Sequence, residues 1–426
     1  MSNGQLIVAC DFGTSNFRAL VAEASASGQL EVLGGACVAA GGFRDGDFVD
    51  LQSGAHAIRR AVRAVEAVAD VDVQAFFFNV MGSHLRSLQA RGQVQVGPTP
   101  RAIRDADLGA ALAKARSLEI PFDQCILAVN PVDWAVDRVR GIVDPRGRLG
   151  SQLEVEAHLV TGSGSVVRNV ERAVQMAGYE VAGRAVDVLA TAEALLSRDE
   201  RDEGVLLIDI GGRLTQWALF RSGRPAASGA VPWGGAHLTA DLAHGLRVSL
   251  SEAEQIKRQR GVTLRGLVED ADPLALFEEE RPSETPGLIA AVLEPRLEEI
   301  FSLVRSDLRE PRLLAGLGRL VLTGGGSRCR GTAALAEEVF ALPAECRWLP
   351  AGVSGLERLS EAFWGTALGL ARWSCVAREE PLAAAAAAGA PGAGWEAGGG
   401  SPVLWRRLRG MLVRAQRSEA DGRPGG

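Results

Sequence analysis

The sequence has little lysine, few and scattered cysteines, and no long apolar run. Lys114 and Lys257 are its only lysines, although lysine and arginine together number 46. The six cysteines include no Cys-x-x-Cys pair and have no histidine at ligand spacing, which argues against a structural zinc site. No stretch approaches the roughly 18 apolar residues of a transmembrane helix, so a membrane-spanning protein is not expected.

Signals for export and for nucleic-acid binding are also missing. The sequence does not begin with a charged segment followed by an apolar core, so we expect a cytoplasmic protein with reduced thiols. A net charge of −6 provides no basic surface for nucleic acid, and no such partner is expected. The 47% apolar and 23% charged content is typical of a soluble globular protein, and 426 residues can form two or three cores.

Three glycine-bearing turns, each following an apolar run, are the main positive feature. They are Asp11-Phe12-Gly13-Thr14-Ser15-Asn16, Asp209-Ile210-Gly211-Gly212 and Gly324-Gly325-Gly326-Ser327. Backbone N–H groups in such turns can face phosphate oxygens, and the carboxylates of Asp11 and Asp209 can hold Mg²⁺ through water. One turn of this kind is usually an ordinary hairpin, whereas three in this order favour a nucleotide clamp divided between two lobes.

The apolar periodicity alternates between strands and helices in both halves of the chain. Each half opens with a strand, an Asp-x-Gly turn and a hairpin strand, which predicts two similar lobes around a ligand cleft. Strands and a helix that interrupt the first lobe predict an inserted subdomain. The predicted first lobe covers residues 1–83 and 164–203, and the insertion covers 84–163. The predicted second lobe covers 204–235 and 317–378, and its subdomain covers 236–316. The predicted helices include 285–308 and 356–372.

The last part of the chain differs in composition from the rest. Residues 379–402 are rich in Ala, Gly and Pro and predict a flexible linker, and residues 403–417 predict an amphipathic helix. One side of that helix, an arc of about 120°, would carry the apolar residues Leu404, Trp405, Leu408, Met411, Leu412 and Ala415. The opposite side would carry the arginines Arg406, Arg407, Arg409, Arg414 and Arg417. Val413 is the one apolar residue that falls outside the arc. A terminal helix with arginine as its only charge favours an anionic membrane surface, with docking on a partner protein as the alternative.

Three further segments carry a resemblance to a known family. They are Val80-Met81-Gly82-Ser83-His84, Ser251-Glu252-Ala253-Glu254-Gln255-Ile256-Lys257, and the inserted stretch from Trp134 through Gly141-Ile142-Val143-Asp144-Pro145 to His158-Leu159-Val160-Thr161. With the terminal helix, they make nearly the whole chain similar to FtsA, the actin-like bacterial cell-division family that tethers the FtsZ ring to the inner membrane. The resemblance implies an α/β, actin-like (duplicated ribonuclease H-like) two-lobed ATPase fold with an inserted subdomain, 1C, of the SHS2 type and a tethered C-terminal amphipathic helix.

The same resemblance implies that the chain binds ATP and Mg²⁺ in the cleft. The residues implied are Asp11, Gly13, Thr14, Ser15 and Asn16 in a first phosphate loop, Asp209, Gly211, Gly212 and Arg213 in a second, and Glu254, Lys257, Gly324, Gly325, Gly326 and Ser327 around adenosine. Glu254 and Lys257 have a plain surface ion pair as their alternative. Two positions depart from the family pattern: Asn16 stands where many relatives have lysine, and Arg213 where many have a third glycine. Weak or absent ATPase activity is therefore expected. Gln216 is the candidate residue for orienting a water molecule.

Partners are implied in the same way. Arg296 and Glu299 resemble the family's contact for the acidic, apolar FtsZ tail on subdomain 2B, with Arg281 as a second cation; a plain Arg296–Glu299 surface pair is the alternative. Self-association into filaments, later division proteins bound through 1C, and a peripheral position on the cytoplasmic face of the inner membrane at the division septum are also implied. Two other readings stay open: a scaffold similar to the pilus-assembly protein PilM, and a sugar-kinase-like phosphotransferase on the same core.

Overall fold

The computed structural model describes residues 5–25, 29–269, 285–308, 314, 316–359, 363–379 and 413–414. The first lobe begins with β1 (Gln5–Phe12), β2 (Asn16–Ala24), β3 (Leu30–Ala39), β4 (Phe43–Arg44), β5 (Asp47–Phe48), α1 (Leu51–Ala69), β6 (Asp72–Val73) and β7 (Ala75–Val80). The first three strands form an antiparallel meander, and β7 joins β1 in parallel. Asp50 caps α1 by accepting hydrogen bonds from the backbone N–H groups of Gln52 and Ser53.

An inserted α/β unit follows β7. It contains β8 (Arg86–Gln95), β9 (Arg101–Ala102), α2 (Asp105–Arg116), β10 (Gln124–Val136), β11 (Val139–Ile142), β12 (Leu149–Gly150) and β13 (Gln152–Ser163). The sheet order is β11-β10-β13-β8, and buried Leu112, Trp134 and Leu153 belong to the core between this sheet and α2. The chain then returns to the first lobe through α3 (Gly164–Met176), β14 (Glu180–Val186), α4 (Asp187–Leu195) and α5 (Arg198–Glu203).

The second lobe repeats the topology of the first. Its elements are β15 (Val205–Ile210), β16 (Thr215–Arg221), β17 (Arg224–Val231), α6 (Gly235–Leu246), α7 (Leu250–Arg260), α8 (Gly266–Glu269), α9 (Pro286–Asp307), β18 (Arg319–Thr323), α10 (Thr332–Phe340) and β19 (Ala344–Cys346). The last helix, α11 (Gly365–Glu379), packs on the first lobe, where Ala367, Leu368 and Ala371 share a buried core with Leu20, Phe77 and Leu195. The predicted assignment of 317–378 to the second lobe is therefore wrong for this helix. The sheet order β17-β16-β15-β18-β19 matches β3-β2-β1-β7-β14 strand for strand, including which pairs are parallel. The predicted α/β fold of two similar lobes is therefore confirmed.

A continuous apolar core joins the two lobes. In the first lobe it is built around phenylalanine rings whose neighbouring centroids lie 4.8–6.1 Å apart, those of Phe12, Phe17, Phe43, Phe48 and Phe78. The same buried cluster includes Val205 and Leu207 of β15. The lobes are therefore packed against each other as well as connected by the chain.

The helix predicted at 356–372 differs from the structure. Leu356–Arg358 forms a short 3₁₀ turn, and α11 begins only at Gly365. The Arg358 guanidinium donates a hydrogen bond to the carbonyl oxygen of Val32, and the Leu359 side chain packs against Gly35. Contacts with β3 therefore hold the segment before α11 outside the helix.

The predicted amphipathic helix at 403–417 lies outside the described residues except for two positions, and the predicted linker at 379–402 lies outside them beyond Glu379. Val413–Arg414 forms a short strand, β20, antiparallel to Asp72–Val73, so the structure differs there from the helical prediction. Val413 is the residue that the helical arc misplaces, and a β-branched side chain favours extended backbone. None of the helices in the described part of the chain combines the length and apolar character needed to cross a membrane.

A largely buried carboxylate stabilises the connection between the lobes. Glu200 of α5 accepts hydrogen bonds from both terminal nitrogens of Arg347, at 3.0 and 2.7 Å, and from the backbone N–H of Ser197 at 2.8 Å. The hydrogen bonds from Arg347 are the largest cause that lowers the pKa of Glu200, to about 2. Since Glu200 precedes β15 and Arg347 follows β19, this pair ties the connecting segment to the second lobe.

Replacing Glu200 with Gln should lower the free energy of unfolding at pH 7 by about 1–3 kcal/mol, because it breaks a bidentate, charge-assisted pair. The folded-state pKa lies below that of an unfolded glutamate, so the stabilisation is present above about pH 4.5 and is lost as the pH falls toward about 2. Denaturant titration at pH 7 and pH 2.5 measures this. Glu345→Gln, which removes an exposed partner of the same Arg347, is the control and should have a smaller effect. A Glu200→Gln effect as large at pH 2.5 as at pH 7 would contradict the assignment.

Candidate functional site

Strand register places the two predicted aspartates at equivalent positions of the two lobes. Asp11, near the end of β1, pairs across the hairpin with Arg18 of β2, and Asp209, near the end of β15, pairs with Gln216 of β16. Each aspartate stands seven residues before its cross-strand partner. The duplicated topology therefore brings one carboxylate from each lobe to the cleft between them.

Each aspartate is followed by a turn that closes on itself. The backbone N–H of Gly13 donates to the carbonyl oxygen of Asn16 at 3.1 Å, and that of Gly211 donates to Leu214 at 2.9 Å. The bonds are equivalent in the two lobes, since Gly13 and Gly211 each lie two residues after the aspartate. The two predicted phosphate loops therefore have the same local geometry.

The two loops touch across the cleft. A methyl group added at Gly212 would lie 2.7 Å from the hydroxyl oxygen of Thr14 and 2.8 Å from that of Ser15. A side chain at position 212 would have to displace both hydroxyls, so glycine there suits the close approach of the loops. The structure thus brings together the first and second loops that the sequence placed about 200 residues apart.

The third predicted turn closes the site from the side of β18. It contains Gly324, Gly325, Gly326 and Ser327. Gly324 has a φ of +83°, and a side chain there would overlap the Oδ1 atom of Asp209. The Ser327 hydroxyl donates to the Gly324 carbonyl at 2.8 Å and accepts from the indole N–H of Trp348 at 2.9 Å. All three glycine turns therefore meet around Asp209.

Lys257 and Glu254 lie beside this third turn. Lys257 is 8% exposed, and its Nζ donates to the carbonyl oxygen of Gly235, to the Thr239 hydroxyl and to Glu254, at 2.8, 2.7 and 2.7 Å. A methyl group on Gly235 would lie 3.5 Å from that Nζ and 3.8 Å from the Cα of Gly326. The pair is therefore not a plain surface ion pair, since the lysine is enclosed between α6, α7 and the third turn.

Asp187, at the start of α4, is a third carboxylate that the sequence motifs do not reveal. The side-chain amide of Asn79 donates to Asp187 Oδ1 at 2.7 Å and to Asp11 Oδ1 at 3.2 Å. Gln216 donates to the other oxygen of Asp187. Asp11, Asn79, Asp187 and Gln216 are all buried, whereas Asp209 is partly exposed.

Enclosure shifts the pKa values of these carboxylates upward. The pKa of Asp11 is raised to about 7. Burial is the largest cause and the charge of Asp187 adds to it, whereas Arg18 lowers the pKa. Burial also raises the pKa of Asp187, against hydrogen bonds from Asn79 and Gln216 that lower it. Desolvation, with the charges of Asp187 and Asp11, raises the pKa of Asp209 well above its usual value. A cation placed among these carboxylates would relieve their repulsion.

The donor set fits a hydrated Mg²⁺ better than a directly bound ion. Across the described residues, no three His, Cys, Asp or Glu side chains are grouped closely enough to hold a metal. Mg²⁺ keeps several waters and is commonly bound through one or two carboxylates together with substrate phosphates. Asp11 and Asp209 fit that mode of binding, which stays a prediction.

Arg18 is a cation in the site that the sequence analysis did not assign. Its terminal nitrogen lies 3.5 Å from Asp11 Oδ2, and its side chain is 11% exposed. It also lies beside Gly13, 4.0 Å from where a Cβ atom would stand. An arginine is thus present next to the first loop, two residues after the Asn16 that stands in place of lysine. The common seven-residue offset from each aspartate was the signal that could have identified Arg18.

Arg213, predicted to belong to the second phosphate loop, has a side-chain contact with the first lobe, and its contact with phosphate stays a prediction. Its Nε donates to Asp45 Oδ1 at 3.0 Å, and Asp45 belongs to the β4–β5 hairpin of the first lobe. Arg213 therefore bridges the mouth of the cleft. Gln216 likewise has its amide engaged with Asp187.

The predicted partner-binding residues lie on α9, outside this cluster. The Arg296 guanidinium stacks 4.6 Å from the ring centroid of Trp233, and its Nε donates to Asp241 at 2.6 Å. Arg296 also pairs with Glu299, as the plain alternative proposed. The remaining predicted residues fall outside the described part of the chain: Arg281, Leu404, Trp405, Arg406, Arg407, Leu408, Arg409, Met411 and Leu412.

A duplicated fold with three glycine turns and facing carboxylates between its lobes defines an actin-like protein. Comparison with protein-family models is more specific. The model described as "SHS2 domain inserted in FTSA" matches residues 82–161, and the model described as "Cell division protein FtsA" matches residues 206–361.

Individual relatives extend the match over most of the chain. The cell division protein FtsA of Pseudomonas aeruginosa is 34% identical over 378 residues, which cover 87% of this chain and 89% of the relative. The FtsA protein of Bacillus subtilis is 33% identical over 346 residues, which cover 80% and 78%. The chain therefore belongs to the FtsA family of cell-division proteins.

Solved structures confirm the actin-like fold. The PilM–PilN type IV pilus biogenesis complex matches with a TM-score of 0.59 at 19% identity, covering 86% of this chain and 97% of the other. MreB5 of Spiroplasma citri bound to ADP matches with a TM-score of 0.51 at 14% identity, covering 88% and 98%. At these identities the likeness concerns the fold alone. The fold is therefore compatible with the PilM alternative, whereas both the fold and the sequence support membership of the FtsA family.

Proposed function

We propose that this chain is an ATP-binding, actin-like adaptor that polymerises and tethers the FtsZ ring to the cytoplasmic membrane during cell division. The observation that carries the proposal is the convergence of three glycine turns, from both lobes, on the carboxylates of Asp11, Asp187 and Asp209. Membership of the FtsA family supports the role in division. The nucleotide is the ligand whose separate phosphate and adenosine parts match separate turns.

Each turn would contact a different part of ATP. The backbone N–H groups of residues 13–15 and 211–212, with the Thr14 and Ser15 hydroxyls, would face the phosphates. Residues 324–327, with Glu254 and Lys257, would enclose adenosine. Mg²⁺ would neutralise phosphate charge and would be held through water by Asp11 and Asp209.

Hydrolysis of ATP is expected to be weak or absent. Gln216, the candidate water-orienting residue, is 3% exposed and its amide already donates to Asp187. Arg213 is paired with Asp45. Neither side chain is therefore placed to act on a water molecule without first changing partners, and nucleotide would serve mainly to set the conformation of the lobes.

Filament formation and membrane attachment support each other in this proposal. One short amphipathic helix binds a membrane reversibly, whereas several on one filament act together through effective concentration. Residues 403–417 would provide that helix and place the protein, as a peripheral component, on the cytoplasmic face of the inner membrane at the division septum. The inserted subdomain would receive later division proteins.

The FtsZ tail would bind subdomain 2B at Arg296. Stacking on Trp233 and the ion pair with Asp241 hold the guanidinium in one orientation, and the hydrogen bond that it donates to Asp241 raises the pKa of Arg296. The side chain is 23% exposed. A fixed, charged, partly exposed arginine beside an aromatic ring is suited to a peptide that is both acidic and apolar.

Arg296→Glu should weaken binding of the FtsZ C-terminal peptide at least tenfold, because it reverses the sign of the contact. Fluorescence anisotropy of a labelled peptide at moderate salt measures the dissociation constant. Arg305→Glu is the matched control: it makes the same charge reversal at an exposed position of the same helix and should leave binding close to the wild-type level. An unchanged constant for folded Arg296→Glu protein would refute the assignment.

Trp405→Glu should abolish sedimentation with anionic vesicles, because it puts a charge at the centre of the side that has to enter the acyl boundary. Replacing Arg406 and Arg407 with Ala should instead weaken binding in a salt-sensitive way, since attraction to headgroups is screened within about 10 Å at 0.1 M salt. Co-sedimentation of Trp405→Glu protein at the wild-type level would mean that the segment docks on protein and not on membrane.

A further inference from the structure

An ion pair joins the two lobes at the mouth of the cleft. Arg213, the residue after Gly212, donates through Nε to Asp45 Oδ1 at 3.0 Å, and the two side chains are 40% and 47% exposed. Asp45 and Gly46 form the tip of the β4–β5 hairpin, with φ angles of +52° and +93°. A side chain at Gly46 would overlap the carbonyl oxygen of Met81, so the hairpin packs closely on the first lobe and fixes Asp45 in position.

The loops behind this ion pair lie close together. A Cβ atom at Gly212 would lie within 2.8 Å of the hydroxyl oxygens of Thr14 and Ser15. A phosphate that binds between the loops therefore has to displace these hydroxyls or the loops that carry them. Arg213 directly follows Gly212 in the chain, so it adjoins the place where that phosphate would bind.

A second contact between the lobes is built differently. His158 of β13 is fully buried, and its Nε2 lies 2.9 Å from the Ser87 hydroxyl and 3.2 Å from the hydroxyl of Ser228 on β17. Gln89 of β8 donates to the carbonyl oxygen of Ala226 at 2.6 Å. Opening a buried polar contact leaves unsatisfied groups, whereas an exposed ion pair can exchange its partner for water. The ion pair at the mouth of the cleft is therefore easier to open than the buried contact at His158.

We propose that the Arg213–Asp45 pair is a latch on the cleft, which the phosphates of a bound nucleotide open by replacing Asp45 as the partner of Arg213. The inference rests on the nucleotide-binding function proposed above. A guanidinium binds phosphate with the same pattern of N–H donors with which it binds a carboxylate, so the two anions compete for one side chain. Arg213 thereby makes the contact between the lobes at the mouth of the cleft sensitive to nucleotide phosphate.

The latch is expected to be weak. Exposed ion pairs stabilise by so little that releasing one changes a dissociation constant by about two- to fivefold. The latch therefore lowers the affinity for ATP without preventing binding. The latch does not change the affinity for a ligand that lacks phosphate, since such a ligand does not compete with Asp45 for Arg213.

Calorimetric titration of ATP and of adenosine, with Mg²⁺ and at low salt, tests the latch. Asp45→Asn should bind ATP about two- to fivefold more tightly than wild type and adenosine equally well. Arg213→Gln should bind ATP more weakly than Asp45→Asn, because it loses the phosphate contact together with the latch. In the Arg213→Gln background, Asp45→Asn should have no further effect.

Asp47→Asn is the matched control, since it removes the same charge from the same hairpin, and the Asp47 carboxylate accepts a hydrogen bond from Asn169 and not from Arg213. Its ATP affinity should equal that of wild type. Equal shifts for Asp45→Asn and Asp47→Asn would indicate long-range electrostatics and would overturn the latch, as would an Asp45→Asn effect that persists without Arg213. Identical ATP affinity in wild type and Asp45→Asn would overturn the latch alone, whereas no ATP binding by wild type would overturn the nucleotide site itself.

Discussion

Three carboxylates that share one enclosed space, those of Asp11, Asp187 and Asp209, constrain the rest of this structure. Desolvation raises the pKa values of all three, and repulsion from neighbouring carboxylates adds to it at Asp11 and Asp209, so donors and positive charge are needed around them. Asn79 does so by bridging Asp11 and Asp187, and Arg18 by standing beside Asp11. These donors offset the rise in pKa only in part, which is compatible with the proposed binding of a cation together with phosphates.

Duplication accounts for the architecture, and the departures from symmetry account for what is particular to this chain. The cross-strand partner of the aspartate is a cation, Arg18, in the first lobe and a neutral amide, Gln216, in the second. Only the first lobe carries the inserted subdomain, and that subdomain contacts the second lobe through His158 and Ser228. The two lobes are thus unequal in charge and in attachments, so the proposed nucleotide and partner sites lie on different parts of one joined body.

The sequence predicted those parts of the site that depend on local geometry, and it missed those that depend on strand order. Asp11, Asp209 and the glycine turns are recognisable because a tight turn after a buried strand restricts the residue types that fit. Asn79 and Asp187 carry no such signature, since they reach the cleft only through the parallel pairing of β1, β7 and β14. The helix predicted at 356–372 failed for a related reason, because contacts of Arg358 with β3, distant in sequence, decide where α11 begins.

Calorimetric titration of ATP, with Mg²⁺, into the wild-type chain and into the Asp209→Asn variant tests the nucleotide site most directly. The substitution preserves shape, removes a carboxylate whose pKa is raised by Asp187 and Asp11, and so should not lower the unfolding temperature. Affinity for ATP should fall by well over tenfold, because the substitution removes one of the two carboxylates proposed to hold Mg²⁺ through water. Equal affinity of the two proteins for ATP would contradict the assignment of this cleft as a nucleotide site.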